Sequence, residues 1–266
     1  MSRSGFYAYE RRRATRPIDG ARLELLSRVK AIARETRQSY GSRRMAKQLQ
    51  EEGFAVGRAK ARRLMQEADV SVRRPRARRP MTTDSRHGYG VADNVLARQF
   101  DVAKPDHAWA GDITYIWTAE GWLYLAVLLD LYSRKVVGWA MSSHIDTDLV
   151  QHACEMALGR RRPAAGLVHH SDRGSQYASQ AYRTLLADHG IICSMSGKGD
   201  CLDNAVAERF FGSLKREWTS HCDYATRQEA KADIIAYIEM FYNSRRKHSY
   251  LGYVSPNDYE KCALVA

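Results

Sequence analysis

The chain has 266 residues, 44% hydrophobic and 27% charged, enough for one large domain, or one medium domain with small attachments, around a proper core. Its longest apolar run, WLYLAVLLDLY, is interrupted by Asp130 and falls short of the roughly 20 residues that span a bilayer. The opening MSRSGFYAYERRR lacks an apolar stretch of signal-peptide length, so the expectation is a cytoplasmic protein with no membrane partner. The net charge of +12 is uneven: residues 1–90 hold 23 Lys and Arg against 9 Asp and Glu, and the remainder holds 19 against 21. Such a basic block suits a polyanion, most commonly nucleic acid, or else a solvated tail.

In chain order, residues 18–38 carry Leu25, Val29, Ile32 and Ala33 at helical spacing, with Asp19 placed to cap the start. SYGSRRMAKQLQEEG predicts a second helix, with Met45 and Leu49 inward and Gly53 at its end. FAVGRAKARRLMQEAD predicts a third, with Ala61, Leu64 and Met65 inward and Arg58, Lys60, Arg62 and Arg63 outward. Two short helices around a glycine-containing turn, the second studded with arginine, suit a helix-turn-helix at about residues 39–69. Basic helices that merely pack on a neighbour give the same pattern. VRRPRARRPMTTDSRHG, with Arg73, Arg74 and Arg78, has no periodicity and reads as a linker able to track a phosphate backbone.

From Trp109 the pattern changes. WAGDITYIWT, WLYLAVLLDLY and SRKVVGWAMS predict three strands separated by short turns, an antiparallel meander. TDLVQHACEMALGR then predicts a helix, GLVHHS a short buried strand, SQAYRTLLADHG a helix and IICSMS a fifth strand. AVAERFFGSLKREW and DIIAYIEMFYNSRRK predict two further helices. This order gives an α/β fold with a mixed five-stranded sheet flanked by helices, preceded by a small all-α region. Cys154, Cys193, Cys201, Cys222 and Cys262 contain no C-x-x-C pair, so neither a disulfide framework nor a zinc finger is expected.

Three acids stand out. Asp112 interrupts an apolar strand, where a polar residue needs a reason; a hydrogen-bonded core acid or an edge position supplies one. Asp172 follows the fourth strand in a glycine-containing loop that can aim a side chain. Glu208 lies on a helix whose buried stripe is Ala207, Phe211, Leu214 and Trp218, and by itself fits a solvated surface glutamate as well. Asn204 and Lys215 fall on the same line as Glu208. Asp203 reads as the N-cap of that helix. Three converging carboxylates without cysteine suit hard cations, and two such ions can activate an attacking oxygen and steady a leaving one at a phosphodiester.

WAGDITYI, LLDLYSRKVVGW, HHSDRGSQYAS, DNAVAERFFGSLKRE and YNSRRKHSYLGYVSPNDYE closely resemble the bacterial insertion-sequence transposases with a retroviral-integrase-like core. The match is to the larger reading-frame product of the group typified by the third numbered insertion sequence, and SYGSRRMAKQLQEEGFAVGRAKARRLMQEA resembles that group's helix-turn-helix. The family pattern is Asp, Asp, then Glu after 35 intervening residues, which is the spacing between Asp172 and Glu208. The resemblance implies a ribonuclease H-like fold and a DDE-type polynucleotidyl transferase. Asp112, Asp172 and Glu208 would be its catalytic, metal-binding triad for two Mg2+ or Mn2+ ions, and Lys215 a contact to element DNA. It further implies nicking at transposon ends and transfer of the freed 3′-hydroxyl to target DNA.

In HHSDRGSQYAS the adjacency of His170, Ser171 and Asp172 does not match a nucleophilic triad, whose members meet from distant positions. His169 and His170, neighbours on a strand, face opposite ways and make no zinc pair; His170 reads as packed and hydrogen-bonded, with an approach to DNA as the other reading. In the tail, Tyr242, Tyr250 and Tyr253 suit packing, while Arg245 and Arg246 suit DNA contact or packing equally. The domain reading is residues 1–71 as a basic helical region, 72–100 as linker, 101–220 as catalytic core and 221–266 as a C-terminal helical extension. Expected partners are double-stranded DNA, both terminal inverted repeats and target, and further copies of the chain, at least a dimer on DNA. No sustained heptad repeat appears, so the smaller upstream product of such elements is a further expected partner. Two other readings stand beside the transposase: a DNA-binding regulator without catalysis, and a metal nuclease acting on RNA–DNA hybrids.

Overall fold

A computed structural model describes residues 2–14, 19–73, 90–197 and 201–263, and divides the chain after Val72 into two units. The first contains α1 (Arg3–Ala14), α2 (Gly20–Glu35), α3 (Ser42–Glu51) and α4 (Arg58–Glu67). The sequence pattern does not mark α1 as an element. α2 begins where the Asp19 carboxylate accepts from the Arg22 N–H at 3.0 Å, and α3 gives way to Gly53 at φ +89°, a backbone state that suits glycine. Val29 and Ile32 of α2, Met45 and Leu49 of α3, and Ala61 and Leu64 of α4 are buried together as the periodicity predicts. α4 starts at Arg58 rather than Phe54. Gly57 is its extended N-cap and offers no side chain to bond the first turn, so the preceding residues form the turn between the two helices.

The second unit is built on a sheet of β1 (Ala108–Thr118), β2 (Gly121–Asp130), β3 (Val136–Ser142), β4 (Val168–Ser171) and β5 (Ile192–Met195), in the order β3-β2-β1-β4-β5. β1, β2 and β3 pair antiparallel, and β4 and β5 add parallel to the other side of β1. This is the ribonuclease H-like arrangement. α5 (Thr147–Arg161), α6 (Ser175–Ala178) and α7 (Gln180–Asp188) follow β3 and β4, and α8 (Ala205–Glu217), α9 (Arg227–Ile235) and α10 (Pro256–Ala263) follow β5. β2 is apolar nearly throughout because helices cover it: α5 packs on β3 and β2, and α8 and α9 pack on β1 and β2. At Gly138 the approach of α5 is so close that a Cβ would sit 2.2 Å from the Ala153 carbonyl oxygen.

Two features of this unit bear on the site. β4 pairs with β1 only from Ala108 to Ala110, so beyond Gly111 that side of β1 is released from the ladder. Asn204 takes up the Gly111 carbonyl, donating from Nδ2 at 3.1 Å, and so ties the start of α8 to the strand. The segment around residues 93–100, expected as the end of a linker, instead packs on the core. Leu96 is buried, its N–H donates to Ser194 Oγ, and Met195 N–H donates to the Asp93 carbonyl. Beyond α9 the chain continues as a π-helix, Ala236–Tyr242. Asn243 then acts as a substitute strand edge, accepting from Val136 N–H and donating to its carbonyl. No helix of the described residues is long and apolar enough to cross a membrane.

Candidate active site

Asp112 stands on β1 two residues beyond the last pair with β4, and Asp172 directly follows the C-terminal end of β4. Parallel neighbours thus deliver two acids to the same end of the sheet, where α/β proteins place their sites. Both line one cleft, with Tyr115, Gly174, Gln176 and Tyr177. Each carboxylate is aimed by a nearby backbone N–H: Asp112 Oδ1 accepts from Ile113 at 2.8 Å, and Asp172 Oδ1 from Gly174 at 2.9 Å. Gly174 also leaves room, since a Cβ there would meet Asp172 Oδ1 at 3.0 Å.

The electrostatics tie these acids to α8. Burial, then the Asp172 carboxylate, pushes the Asp112 carboxyl well above the usual carboxylate range; Glu208 adds to the push, while the Ile113 N–H and Lys215 oppose it. Glu208 is exposed on α8 and raised by partial burial. It reaches Asp112 through its field without lining the cleft. Among the described residues no three His, Cys, Asp or Glu side chains are gathered closely enough to form a ready metal cluster. The acids are therefore two together and one nearby. Lys215 extends its ammonium over the Tyr115 ring at 4.3 Å from the centroid; burial lowers its pKa and Asp112 raises it back in part.

Around the acids the residues are locked. His170 Nδ1 pairs with Ser194 Oγ at 2.9 Å and its Nε2 with Ser196 Oγ at 3.2 Å, while His169 Nε2 pairs with the Tyr182 hydroxyl at 3.0 Å. Burial holds the His169 imidazole down to about 3, so it stays neutral. Both histidines are packed, hydrogen-bonded groups. Tyr177, which sequence reasoning passed over, is buried beneath the cleft with its hydroxyl unpartnered among the described residues. Burial, then Asp112 and Asp172, raise that phenol far above its ordinary value, so it stays protonated. Its signal was present in HHSDRGSQYAS, as an aromatic five residues after the acid.

Two expectations are corrected. Asp203 is not the N-cap of α8; Asn204 takes that position, without a side-chain capping bond. Asp203 is buried in a short 3-10 turn and accepts from Gly197 N–H at 2.8 Å, Arg98 Nε at 2.7 Å and Asn94 Nδ2 at 2.9 Å; the Gly197 N–H, then Arg98, hold its carboxyl below the usual range. It anchors both the docked segment before β1 and the chain after β5. Arg246 does not present itself to DNA. It is buried, with two nitrogens on the Glu217 carboxylate at 2.6 Å each and a third contact to Ser213 Oγ at 3.2 Å. Its neighbour Arg245 is exposed but engaged.

Arg58, Lys60, Arg62 and Arg63 are all exposed on α4. Arg73 is exposed and engaged in an interaction, and Arg74 and Arg78 lie outside the described residues. Of the tail tyrosines, Tyr242 is buried, whereas Tyr250 is half exposed, stacked on Arg134 at 4.1 Å and donating to Asp101.

The chain is similar to known proteins along nearly its whole length. A family model described as an HTH-like domain matches residues 21–78, one described as an integrase core domain matches residues 102–201, and a second integrase core domain model matches residues 208–264. The chain is 43% identical over 257 residues to the "Insertion element IS600 uncharacterized 31 kDa protein" of Shigella sonnei, covering 96% of this chain and 93% of that protein. It is 37% identical over 266 residues to "Transposase InsF for insertion sequence IS3A" of Escherichia coli K12, covering 100% and 92%. With the "Transposase for insertion sequence element IS904" of Lactococcus lactis subsp. lactis it shares 40% identity over 240 residues, covering 90% and 94%. Among solved structures, the HTLV-2 integrase catalytic core in complex with magnesium shares 16% identity at a TM-score of 0.44, covering 59% of this chain and 97% of that one. A simian T-cell lymphotropic virus intasome chain shares 13% at 0.49, covering 81% and 73%.

Proposed function

This chain belongs to the family of insertion-sequence transposases and is a DDE-type polynucleotidyl transferase of DNA transposition, a premise on which we propose that Asp112, Asp172 and Glu208 are its catalytic carboxylates. The single observation that carries the assignment is the meeting of Asp112 from β1 and Asp172 from β4 in one cleft, with the Glu208 field reaching Asp112 from α8. The donor set fits a hard divalent cation such as Mg2+ or Mn2+: it is all oxygen, the histidines beside it are engaged in the core, and the burial and carboxylate repulsion that raise Asp112 are what a bound cation offsets. Such ions, two per site, supply activation of the attacking oxygen and neutralisation of charge at the phosphodiester.

The chain's own residues do the rest. Ile113 and Gly174 hold one oxygen of each aspartate, so the two carboxylates keep their aim when DNA enters. Asn204 holds α8 to β1, which keeps Glu208 and Lys215 beside the cleft. Lys215, poised over Tyr115, contacts a backbone phosphate of the element end. The exposed basic face of α4 reads DNA, with Arg58, Lys60, Arg62 and Arg63 as its contacts. The working division is residues 1–71 for DNA reading, a connector, the core from about residue 101, and the C-terminal extension from residue 221. Cutting and joining two terminal inverted repeats requires at least a dimer on DNA, together with the upstream reading-frame product where end recognition depends on it. The place of action is the cytoplasm, on the nucleoid.

The test is a strand-cleavage and joining assay on labelled duplex carrying the ends of the element. Wild type with magnesium is expected to yield nicked and joined products that disappear with chelator and in Asp172→Asn. Ends that are bound but never cut, with the upstream product also supplied, would instead make the protein a regulator. Degradation of an RNA–DNA hybrid without joining would make it a nuclease.

A further inference from the structure

We propose that the aromatic row Tyr115, Trp117 and Trp122 is a stacking platform for unpaired bases of a DNA strand that runs out of the acid cleft, a proposal that rests on the DNA-processing reading of that cleft. The strand register builds the row. Trp117 lies directly opposite Trp122 in the antiparallel pair of β1 and β2, and Tyr115, two residues earlier, shares its side of the strand. The rings touch in sequence: Tyr115 and Trp122 meet edge to face at 5.0 Å between centroids, and Trp122 and Trp117 at 4.8 Å. At one end Tyr115 lines the cleft with Asp112 and Asp172. At the other the row opens to solvent, with Trp117 51% and Trp122 38% exposed.

Two large indoles at the surface are costly unless something covers them. The surroundings say what does. Two cations stand beside the row: Lys215 over Tyr115 at one end, and Arg227, whose Nε donates to the Trp122 carbonyl at 3.0 Å. Flat apolar faces flanked by cations complement a polyanion that also has flat faces, and every base has one whatever its sequence. A duplex shows a protein only base edges, because the faces are stacked on one another. The platform therefore selects bases that have left the duplex, as they do where a strand has been cut.

The experiment compares the full chain with Trp117→Ala/Trp122→Ala by fluorescence anisotropy on two labelled duplexes, one blunt and one bearing a short single-stranded thymidine extension. Wild type is expected to prefer the extended duplex. The double variant is expected to bind the extended duplex about tenfold or more weakly, since stacking of even one base carries that much, while its binding to the blunt duplex is unchanged. Trp117→Tyr/Trp122→Tyr, which keeps aromatic faces, retains the preference, and circular dichroism of all three checks the fold. Equal affinity of wild type for both duplexes overturns the platform and leaves the transposase reading intact. So does sedimentation in which wild type self-associates and the alanine variant does not, because the row then faces a second copy of the chain. Failure of wild type to bind either duplex removes the DNA reading and the platform together.

Discussion

The two units of this chain use charge in opposite ways. In the N-terminal unit the small apolar core of Val29, Met45, Leu49 and Ala61 contains no fully buried ionised side chain among the described residues, and the basic side chains of α4 stand outside it in water. In the second unit several ionisable groups lie inside the structure: Asp112 near Asp172, Asp203 under three donors, Arg246 on Glu217. A surface arginine gives reach at almost no folding cost. A buried charge is committed to one partner, so removing it disturbs either stability or chemistry. The two regions should respond to mutation in correspondingly different coordinates.

The largest effect on stability is expected at the buried pair. Arg246→Ala leaves Glu217 buried and uncompensated, a loss of about 3–5 kcal/mol, read by urea or thermal unfolding of the full chain. Arg246→Met with Glu217→Leu should recover most of it, because an apolar pair of similar volume has no charge to desolvate. If Arg246→Ala instead unfolds like wild type and binds DNA more weakly, the guanidinium is a DNA contact and the contrast between the units fails. Asp172→Asn should do the reverse of Arg246→Ala. Strand joining is expected to fall by more than about 100-fold, beyond the loss typical of a mere supporting residue. The melting temperature stays level or rises, since the amide no longer repels Asp112. A variant that loses activity only in proportion to lost folded protein would show Asp172 to be structural.

The same contrast explains what the sequence disclosed. The mixed sheet was legible because each strand is a contiguous apolar segment and each helix a contiguous periodic one. Asp172 and Glu208 stood out by the family spacing and Asp112 by interrupting an apolar strand, and the structure brings Asp112 and Asp172 into one cleft. Arg246 was not: an arginine among tyrosines has the same local pattern whether it faces DNA or a glutamate 29 residues earlier. Asp203 looked like a cap for the same reason, since its partners Asn94 and Arg98 lie more than 100 residues upstream. Those partners also explain why residues 93–100, linker-like in composition, are pinned to the core. Tyr177 went unread because its place five residues after Asp172 does not by itself disclose burial or an unpartnered hydroxyl, which are properties of the fold.

A smaller effect, still inside the core unit, should follow from Glu260. It accepts from Ser133 Oγ at 2.8 Å, Arg161 Nη1 at 2.9 Å and Lys135 Nζ at 3.0 Å, joining α10 to the β2–β3 turn and to α5. Burial pushes its carboxyl up, but Arg161 and Ser133 outweigh burial and hold it below the usual glutamate value. A depressed carboxyl contributes stability that is complete above the unfolded value, about 4.3, and is lost as the pH falls through the lower folded one. Glu260→Gln should therefore cost about 1.5–3 kcal/mol at neutral pH, the range for bonds to charged groups. Its stability should also decline less steeply than wild type between about pH 5 and 3. Parallel profiles in acid would mean the network does not depend on the charge.

The smallest change in stability belongs to the other unit. Arg58→Ala/Arg62→Ala/Arg63→Ala removes three exposed guanidinium groups that do not help hold the three-helix core, so unfolding should shift by no more than about 0.5 kcal/mol. The effect appears instead in binding to terminal-repeat duplex as a function of salt. For every phosphate that is no longer neutralised, the slope of log K against log salt should become shallower by about 0.9. A uniform loss on all sequences would make these residues backbone clamps, whereas a loss confined to the element ends would make at least one of them a reader of bases. Either result keeps α4 as the DNA-facing helix. An unchanged slope with lowered stability would move its arginines into the class of Arg246 and erase the difference between the two units.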